Sequence, residues 1–392
     1  MRVLMSAYAC VPYAGSEPGV GWEMLVMAAR KHDVTVLTTE VNAAQTREAL
    51  EQAGISNVQV VAITTPKPLA AKAYGFGLGH LDYLLWQRRA RRVITELAPD
   101  HDVVHHVTYT SDWQPSAALS QKSLPVVWGP VGSLAPVPWF LIPYLFLRSI
   151  GAQAMRHIVT RLFRIGRLAQ VNRPGVVVVA VSGHTARFFR RARNIRIEAT
   201  CALDPVSTAP TAVPARATDP GRRTILFVGR LVAFKGAGVA LATMKKLPPE
   251  WHMDIYGTGV EEKLIQDRAE RLGISDRVHF LGVRPRAEVE QALRDADVLL
   301  FPSMNDGSSY TVAEAIRVGC PVVCLDLGGP PVLVQGTSGA IVKPDRHAVA
   351  NLARAVQTVQ RDEPSDRFSR ERFPDLLTEW YETAVADAAT AG

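Results

Sequence analysis

The sequence predicts an α/β protein of two doubly wound domains that face each other across a cleft. Three observations support this fold class. The chain has 392 residues, about the length of two ordinary domains. Short apolar runs rich in β-branched residues alternate with longer segments of helical spacing, which is typical of parallel sheets covered by helices on both faces. A stretch rich in Pro, Ala and Thr divides this alternation into two series.

The predicted strands fall into one series on each side of that stretch. The first series lies at residues 2–8, 33–39, 57–63, 102–107, 125–128 and 175–182. The second lies at residues 224–229, 252–257, 277–282, 297–303, 321–326 and 339–344. With a linker at 205–222, we expect one domain over 1–205 and another over 206–370. Doubly wound sheets bind ligands at the carboxyl ends of their strands, so we expect a substrate that bridges the two domains.

Composition narrows the protein class without choosing a ligand. Hydrophobic residues make up 47% and charged residues 21%, and the net charge is +7. This charge suits an acidic small ligand or an anionic membrane, whereas nucleic acid is disfavoured because no aromatic platform interleaves the basic residues. The four cysteines have no metal-ligand spacing and predict buried, reduced thiols. The opening "MRVLMSAYA" has the pattern of a strand rather than of an export signal, so we expect a cytoplasmic protein.

Two glycine-containing turns suggest binding of an anion. The turn after the first strand, "YACVPYAGSEPGVGW", would bring backbone amides and a helix N-terminus to a ligand, although an ordinary tight turn is the alternative. The turn "FVGRLVAFKGAG" places Arg230 and Lys235 just after the first strand of the second domain. Two fixed cations there would neutralise a diphosphate and stabilise it as a leaving group.

A third turn carries two carboxylates. In "FPSMNDGSSYTVAEAIRVG", Asp306 ends the loop after a strand, and Gly307, Ser308 and Ser309 lead into a helix that carries Glu314. Glu314 could bind a ligand with its two carboxylate oxygens. The alternative is structural: "TVAE" fits a capping box, in which this glutamate would close the first turn of its own helix.

Together these motifs resemble the retaining nucleotide-sugar glycosyltransferases of glycosyltransferase family 4, which have the GT-B fold. The resemblance is carried by GR-x4-KG, by the Asp-x7-Glu pair and by "GCPVV" and "GGPP". Weaker support comes from "SEPGVGW" near the start and from "RFSRERFPDLLTEWYETA" near the end. The family's closing helix returns to the first domain, which implies the same for residues 371–388.

The resemblance implies a role for each matched residue. Arg230 and Lys235 would hold the donor diphosphate, Glu314 the ribose hydroxyls, and Asp306 the donor sugar. The turn at Val283 would read the base. The implied nucleotide-sugar-binding residues are Gly15, Ser16, Gly229, Gly257, Val283, Arg284, Gly307, Ser308, Ser309 and Glu314. The cleft would close over the donor, and the sugar would pass with retained configuration to a hydroxyl of a glycan, lipid-linked or small-molecule acceptor.

A histidine and the absence of a metal complete the expected site. The family often places a histidine in the cleft, and "DVVHHV" offers His105 and His106, of which we favour His106, with Asp112 as a weaker partner. The alternative is a histidine packed under the sheet. Asp295 and Asp297 form an Asp-x-Asp pattern that holds metals in a different fold. Because they lie at the end of the sheet away from the ligand, we assign them structural roles and expect no essential metal and no other cofactor.

Two departures from the family pattern keep other functions open. Asp306 stands where the family usually has glutamate, and Pro331 and Val332 follow the Gly-Gly pair where a glutamate is common. These changes leave the donor sugar open. They are also compatible with a catalytically inactive sugar-nucleotide-binding subunit. An epimerase or a phosphorylase on the same fold is a third hypothesis.

Residues 139–167 suggest contact with a membrane. An apolar head too short to span a bilayer is followed by arginines spaced as in an amphipathic basic helix. Such a helix would lie on the inner face of an anionic membrane and bring the cleft to a lipid-linked acceptor. The basic stretch at 86–93 could add to the same surface. The alternative is a core helix with a solvated basic face.

Overall fold

A computed structural model describes residues 1–12, 17–66, 78–133, 137–145, 151, 160, 164, 167–204 and 221–390. The first domain is built on a parallel sheet with strand order β3-β2-β1-β4-β5-β6-β7. Its strands are β1 (Arg2–Ser6), β2 (Asp33–Thr39), β3 (Val58–Ile63), β4 (Val103–His106), β5 (Val126–Val131), β6 (Val176–Ala180) and β7 (Asn194–Ile197). The helices among them are α1 (Glu17–Ala29), α2 (Glu40–Gln52), α3 (Leu78–Leu97) and α4 (Gly183–Phe188).

The second domain repeats this architecture with strand order β10-β9-β8-β11-β12-β13, again all parallel. Its strands are β8 (Arg223–Val228), β9 (Trp251–Tyr256), β10 (Val278–Gly282), β11 (Val298–Phe301), β12 (Val322–Leu325) and β13 (Ala340–Val342). Its helices are α5 (Ala237–Met244), α6 (Glu262–Leu272), α7 (Arg286–Asp295), α8 (Tyr310–Arg317), α9 (Pro330–Val334) and α10 (Ala348–Thr358). Helix α11 (Phe373–Ala389) follows.

The observed strands match the predicted apolar runs closely. β2 has the predicted limits, and the other predicted strands are shifted or shortened by a few residues. β7 was not predicted, because it is a four-residue edge strand whose residues are half-buried or exposed and so lack a continuous apolar run. The four cysteines are buried and unpaired, as expected. Among the described residues, no helix combines the length and apolar character needed to cross a membrane.

The last helix packs on the first domain. Phe373, Leu377, Trp380 and Tyr381 of α11 are buried in the same core as β1, β4 and β6. The fold class is therefore confirmed: two parallel doubly wound sheets with a closing helix that returns to the first. The predicted linker, 205–222, lies almost wholly outside the described residues.

One segment that follows the first sheet packs on the second domain. Residues Trp139–Tyr144 form a short 3-10 helix, and Leu141 is fully buried in the second-domain core beside α5. Arg268 of α6 donates hydrogen bonds to the carbonyls of Tyr144 (3.0 Å) and Pro143 (3.3 Å). The head of the predicted membrane-lying segment is thus docked on the second domain through Leu141, while Trp139 and Ile142 stay exposed.

Candidate functional site

A cleft between the domains opens at the carboxyl ends of both sheets. Its volume is about 470 Å³. The first domain contributes residues from the loops after β4, β5 and β6, and the second contributes the loop between β11 and α8. The residues that line it include Glu17, Tyr109, Trp113, Asp306, Ser308 and Tyr310. This position is where doubly wound folds bind their ligands.

Lys235 and Asp306 meet at the second-domain side of the cleft. Phe234, beside Lys235, accepts hydrogen bonds from the Met304 amide (2.7 Å) and the Ser303 hydroxyl (3.1 Å), so the loop after β8 is tied to the loop after β11. The Lys235 ammonium forms an ion pair with the Asp306 carboxylate, and both side chains are 16% exposed. The predicted leaving-group cation and the predicted sugar-binding acid are therefore direct neighbours.

Arg230 lies in the same loop as Lys235 but remains exposed. Among the described residues, no hydrogen bond or ion pair involves its guanidinium group, so the charge is available to a ligand. The adjacent Gly229 carbonyl packs against Gly257, where a Cβ would lie 2.0 Å from that oxygen and φ is +136°. Only glycine satisfies both conditions, so Gly257 holds the loops after β8 and β9 together.

Glu314 points away from its own helix terminus. Helix α8 begins at Tyr310 with Ser309 at the N-cap, and no side chain caps it. The capping-box alternative is therefore wrong. Glu314 Oε1 instead lies 3.1 Å from Nη2 of Arg286, which opens α7. Burial raises the pKa of Glu314, and the Arg286 charge opposes that rise.

Both acids influence one buried thiol. Burial raises the pKa of Cys201, and the charges of Glu314 and Asp306 raise it further.

The loop between Asp306 and α8 is fixed by contacts on two sides. The Ser308 hydroxyl lies 2.8 Å from that of Thr200 and accepts a hydrogen bond from the Thr200 amide at 3.0 Å. The Gly329 amide donates to the Asp306 carbonyl at 2.8 Å, and a Cβ on Gly329 would lie 2.0 Å from the Gly307 carbonyl. Gly307 and Ser308 line the cleft, and Ser309 is buried beneath it. The Gly-Gly-Pro-Pro turn thus supports the loop by close backbone packing.

The predicted base-reading turn follows β10. Val283 is 75% exposed, so its apolar side chain is accessible to the flat ring of a base. The Arg284 side chain folds back, donating to the Leu281 carbonyl at 2.9 Å and approaching Glu288 at 3.7 Å. Arg286 lies two residues further on, so this turn adjoins the Glu314 carboxylate.

The histidine prediction needs correction. His105 and His106 are both fully buried, and neither lines the cleft. His106 lies 3.0 Å from the Ser6 hydroxyl and 3.2 Å from that of Tyr83, whereas His105 lies 2.9 Å from the Tyr381 hydroxyl. Burial lowers the pKa of His105 to about 4 and that of His106 to about 3. Both are neutral core residues under the cleft floor.

The remaining predicted residues have mixed outcomes. Asp112 is buried in an ion pair with Arg164 at 2.6 Å rather than beside His106. Asp297 accepts from the Thr224 amide at 2.7 Å, and Asp295 from the Gln291 amide group at 2.9 Å, at the amino end of the strands as predicted. Gly15 and Ser16, predicted to close on the phosphates, lie outside the described residues.

Sequence reasoning missed Glu17 as a cleft residue. It is the first residue of α1, lines the cleft, and accepts a hydrogen bond from the Tyr109 amide at 2.7 Å. Tyr109 has φ +56°, an uncommon conformation for a residue other than glycine. Burial raises the pKa of Glu17. The "SEPGVGW" motif contains this residue, but the prediction for this turn considered only its glycines and backbone amides.

Family comparison identifies the second half of the chain. Residues 211–373 match the family described as Glycosyl transferases group 1. This match covers the second domain of the chain. The group 1 domain contains Arg230, Lys235, Asp306 and Glu314, which are the donor-side residues predicted above. The predicted resemblance to glycosyltransferases is confirmed over this domain.

Curated relatives match the chain over less than half of its length. A D-inositol 3-phosphate glycosyltransferase of Corynebacterium kroppenstedtii is 32% identical over 202 residues, 43% of this chain and 44% of the relative. The enzyme of the same name from Mycolicibacterium smegmatis is 31% identical over 181 residues, 42% of this chain and 41% of the relative. The chain thus spans less than half the length of these relatives.

Solved structures match the whole fold. Anabaena Alr3699/HepE in complex with UDP and glucose covers 98% of this chain and 100% of its own, with a TM-score of 0.54 and 18% identity. The lipopolysaccharide outer core galactosyltransferase WaaB covers 100% of this chain and 99% of its own, with a TM-score of 0.61 and 14% identity. At these identities the likeness establishes the fold, and the predicted GT-B architecture is confirmed.

Proposed function

We propose that the protein is a retaining glycosyltransferase that transfers a sugar from a nucleotide-sugar donor to an acceptor hydroxyl. The observation that carries this proposal is the ion pair of Lys235 with Asp306, because Asp306 lines the cleft between the two domains. The exposed Arg230 lies in the same loop as Lys235, after β8. Cations on one wall suit a diphosphate, and a second wall from the other domain suits an acceptor.

The two cations assist departure of the leaving group. Cleavage of the bond between the sugar and the diphosphate leaves negative charge on the diphosphate oxygen. The Arg230 guanidinium and the Lys235 ammonium stabilise that charge without a divalent metal. An ammonium group has three donors, so Lys235 can bind a phosphate oxygen while it stays paired with Asp306. The acceptor hydroxyl then attacks from the face that the diphosphate leaves.

The acids orient the rest of the donor. Glu314 accepts hydrogen bonds from the two ribose hydroxyls, and the turn at Val283 and Arg284 covers the base. Asp306 binds the donor sugar together with the amides at Gly307 and Ser308. On the facing wall, Glu17 and Trp113 contact the acceptor, since a carboxylate binds hydroxyl groups and an indole packs on the apolar face of a sugar ring.

A panel of nucleotide sugars tests the proposal, beginning with UDP-glucose because UDP is bound in structures of the same fold. We expect release of nucleoside diphosphate from at least one donor, and the same rate in the presence of a chelator. Nucleotide binding with no release from any donor would favour the inactive binding subunit instead.

Variants of the two cations test where the chemistry occurs. Arg230→Ala and Lys235→Ala should each lower kcat by about 10²–10³, the usual loss when one group that stabilises developing negative charge is removed. Arg223→Ala is the matched control, because its guanidinium pairs with Asp297 at the opposite end of the same sheet. Unchanged kcat in both cation variants would contradict the placement of the diphosphate.

We also propose that the protein acts at the inner face of a membrane through α3. The predicted basic helix within 139–167 lies mostly outside the described residues, and its Arg164 is buried in a pair with Asp112. Helix α3 instead exposes one stripe that begins with two leucines and continues with arginines: Leu81, Leu84, Arg88, Arg91 and Arg92. Apolar and basic side chains on one exposed face favour an anionic bilayer and a lipid-linked acceptor.

A further inference from the structure

Arg286 is the group that holds the Glu314 carboxylate in the unliganded protein. Its Nη2 lies 3.1 Å from Glu314 Oε1. The arginine side chain is 62% exposed, whereas that of Glu314 is only 14% exposed. Among the described residues, this is the one ion pair that Glu314 makes. The contact therefore joins an exposed cation to an acid that is largely enclosed by protein.

The other charges near Glu314 are already engaged. Arg317 also favours the ionised form of Glu314, but its guanidinium binds Glu290 at 2.8 Å and the Asp204 carbonyl at 2.9 Å. Glu290 disfavours the ionised form and pairs with Arg294 as well, at 2.6 Å. The charge of Glu314 also raises the pKa of the buried Cys201 thiol. Orientation of the Glu314 carboxylate is thus left to Arg286.

Arg286 also stands beside the turn that would cover the base. It opens α7, three residues after the exposed Val283. A nucleoside placed between this turn and Glu314 would lie next to the guanidinium group. Because a carboxylate has two oxygens, one can accept from Arg286 while the other accepts from a ribose hydroxyl.

We propose that Arg286 is a positioning residue for the donor nucleotide: it holds one oxygen of Glu314 so that the other faces the ribose. This inference rests on the proposed function, in which Glu314 binds the ribose hydroxyls. The Arg286–Glu314 pair acts on ligand binding and not on folding, because an ion pair with one exposed partner contributes little to the free energy of unfolding. The rival arrangement is a block, in which the donor must first displace Arg286 from Glu314.

Loss of Arg286 also has a predictable pH signature. Burial raises the pKa of Glu314, and Arg286 is the largest influence that lowers it. In the ionised form, the oxygen that Arg286 leaves free accepts hydrogen bonds from the ribose, so affinity falls as the pH drops through the pKa of Glu314. Without Arg286 that pKa rises further, and the fall in affinity begins at a higher pH.

Calorimetric titration of the full chain with UDP, ADP and GDP provides the test, using the nucleotide that the wild type binds most tightly. We expect Arg286→Ala to weaken binding about tenfold at pH 7, as for loss of one charge-assisted hydrogen bond. The loss should grow as the pH falls toward 5. Arg286→Lys should recover part of the affinity, because it keeps the charge but lacks the planar fork. Tighter binding by Arg286→Ala would establish the block and overturn the proposal.

A 2′-deoxynucleotide separates positioning from general structural damage. Removal of the 2′-hydroxyl should weaken binding to the wild type, and it should cost less in Arg286→Ala if the arginine acts through Glu314 and the ribose. Equal losses in the two proteins would contradict the proposal. Arg223→Ala, which breaks an exposed arginine–carboxylate pair elsewhere, should bind as the wild type does.

Glu314→Gln distinguishes failure of this inference from failure of the proposed function. If Glu314→Gln weakens binding and Arg286→Ala does not, the ribose role of Glu314 stands and the positioning role of Arg286 is wrong. If neither change affects binding, or none of the three nucleotides binds the wild type, both the ribose role and the inference fall.

Discussion

At the scale of single residues, the sequence predicted which loops bring functional side chains together. It did not predict the direction in which a side chain points. Lys235 and Asp306 follow two neighbouring strands, so topology alone brings them together. His106 was placed in the cleft wrongly, because strand alternation does not say which face of a two-sided sheet is the open one. Glu314 has a partner, Arg286, that no local spacing connects to it.

The two buried histidines predict acid sensitivity that one substitution should reduce. Their folded-state pKa values are about 4 and 3, below the value of about 6.5 expected when unfolded. Below pH 6.5 the unfolded chain therefore binds more protons, and the free energy of unfolding decreases as the pH falls to 4. The slope is about 1.4 kcal/mol per pH unit for each histidine. Urea unfolding of His106→Gln from pH 7 to pH 4.5 should show a shallower decline than the wild type.

An exposed histidine supplies the control for that experiment. His347→Gln changes a side chain on the surface of the second domain and should leave the pH dependence as it is in the wild type. Parallel pH dependences for His106→Gln and the wild type would show that His106 does not stay neutral when folded. A large loss of kcat in His106→Gln with unchanged stability would instead restore a role in the reaction.

At the scale of elements, apolar runs predicted nearly every strand because parallel strands buried on both faces are continuously apolar. The segment Trp139–Tyr144 was harder, because its pattern does not tell burial in a bilayer from burial in a second domain. The structure shows Leu141 in the second-domain core and Trp139 70% exposed. Gly238 permits the close contact, since a Cβ there would lie 2.2 Å from the Tyr144 carbonyl.

Leu141→Ala should therefore destabilise the second domain, although Leu141 follows a strand of the first. Replacing a fully buried leucine with alanine lowers the free energy of unfolding by about 2–5 kcal/mol. Trp139→Ala, two residues away, is the matched control and should change stability by about 0.5 kcal/mol or less, because the indole is mostly exposed. Urea unfolding followed by circular dichroism measures both. Equal effects of the two substitutions would mean that the segment is not docked through Leu141.

At the scale of the whole molecule, the two-domain architecture was predictable, but the contacts that join the domains were not. The return of α11 to the core of the first domain was expected from the family resemblance. The meeting of the Thr200 and Ser308 hydroxyls across the junction was not expected, because these residues are 108 positions apart and their local sequence does not indicate the partner. Which charged residues share one exposed surface is likewise determined by the fold and not by the local sequence.

That surface charge leads to the prediction for the membrane. Arginines 88, 91 and 92 lie on the exposed stripe of α3, and each basic group near an anionic bilayer contributes about 1 kcal/mol of binding. Changing all three to glutamate lowers the net charge by six, from +7 to +1. Sedimentation with phosphatidylglycerol-containing vesicles at low salt should show at least a hundredfold weaker binding, from about 3 kcal/mol lost. Binding of the wild type should decrease at high salt.

A second triple variant separates a local surface from the effect of total charge. Changing Lys343, Arg346 and Arg354 to glutamate gives the same net charge of +1 but alters exposed positions of the second domain. If α3 is the membrane-facing element, this variant should sediment nearly as the wild type does when both are compared at physiological salt, because charges farther from the bilayer than about 8–10 Å are then screened. Equal loss in the two triple variants would mean that attraction follows total charge and that α3 has no special role.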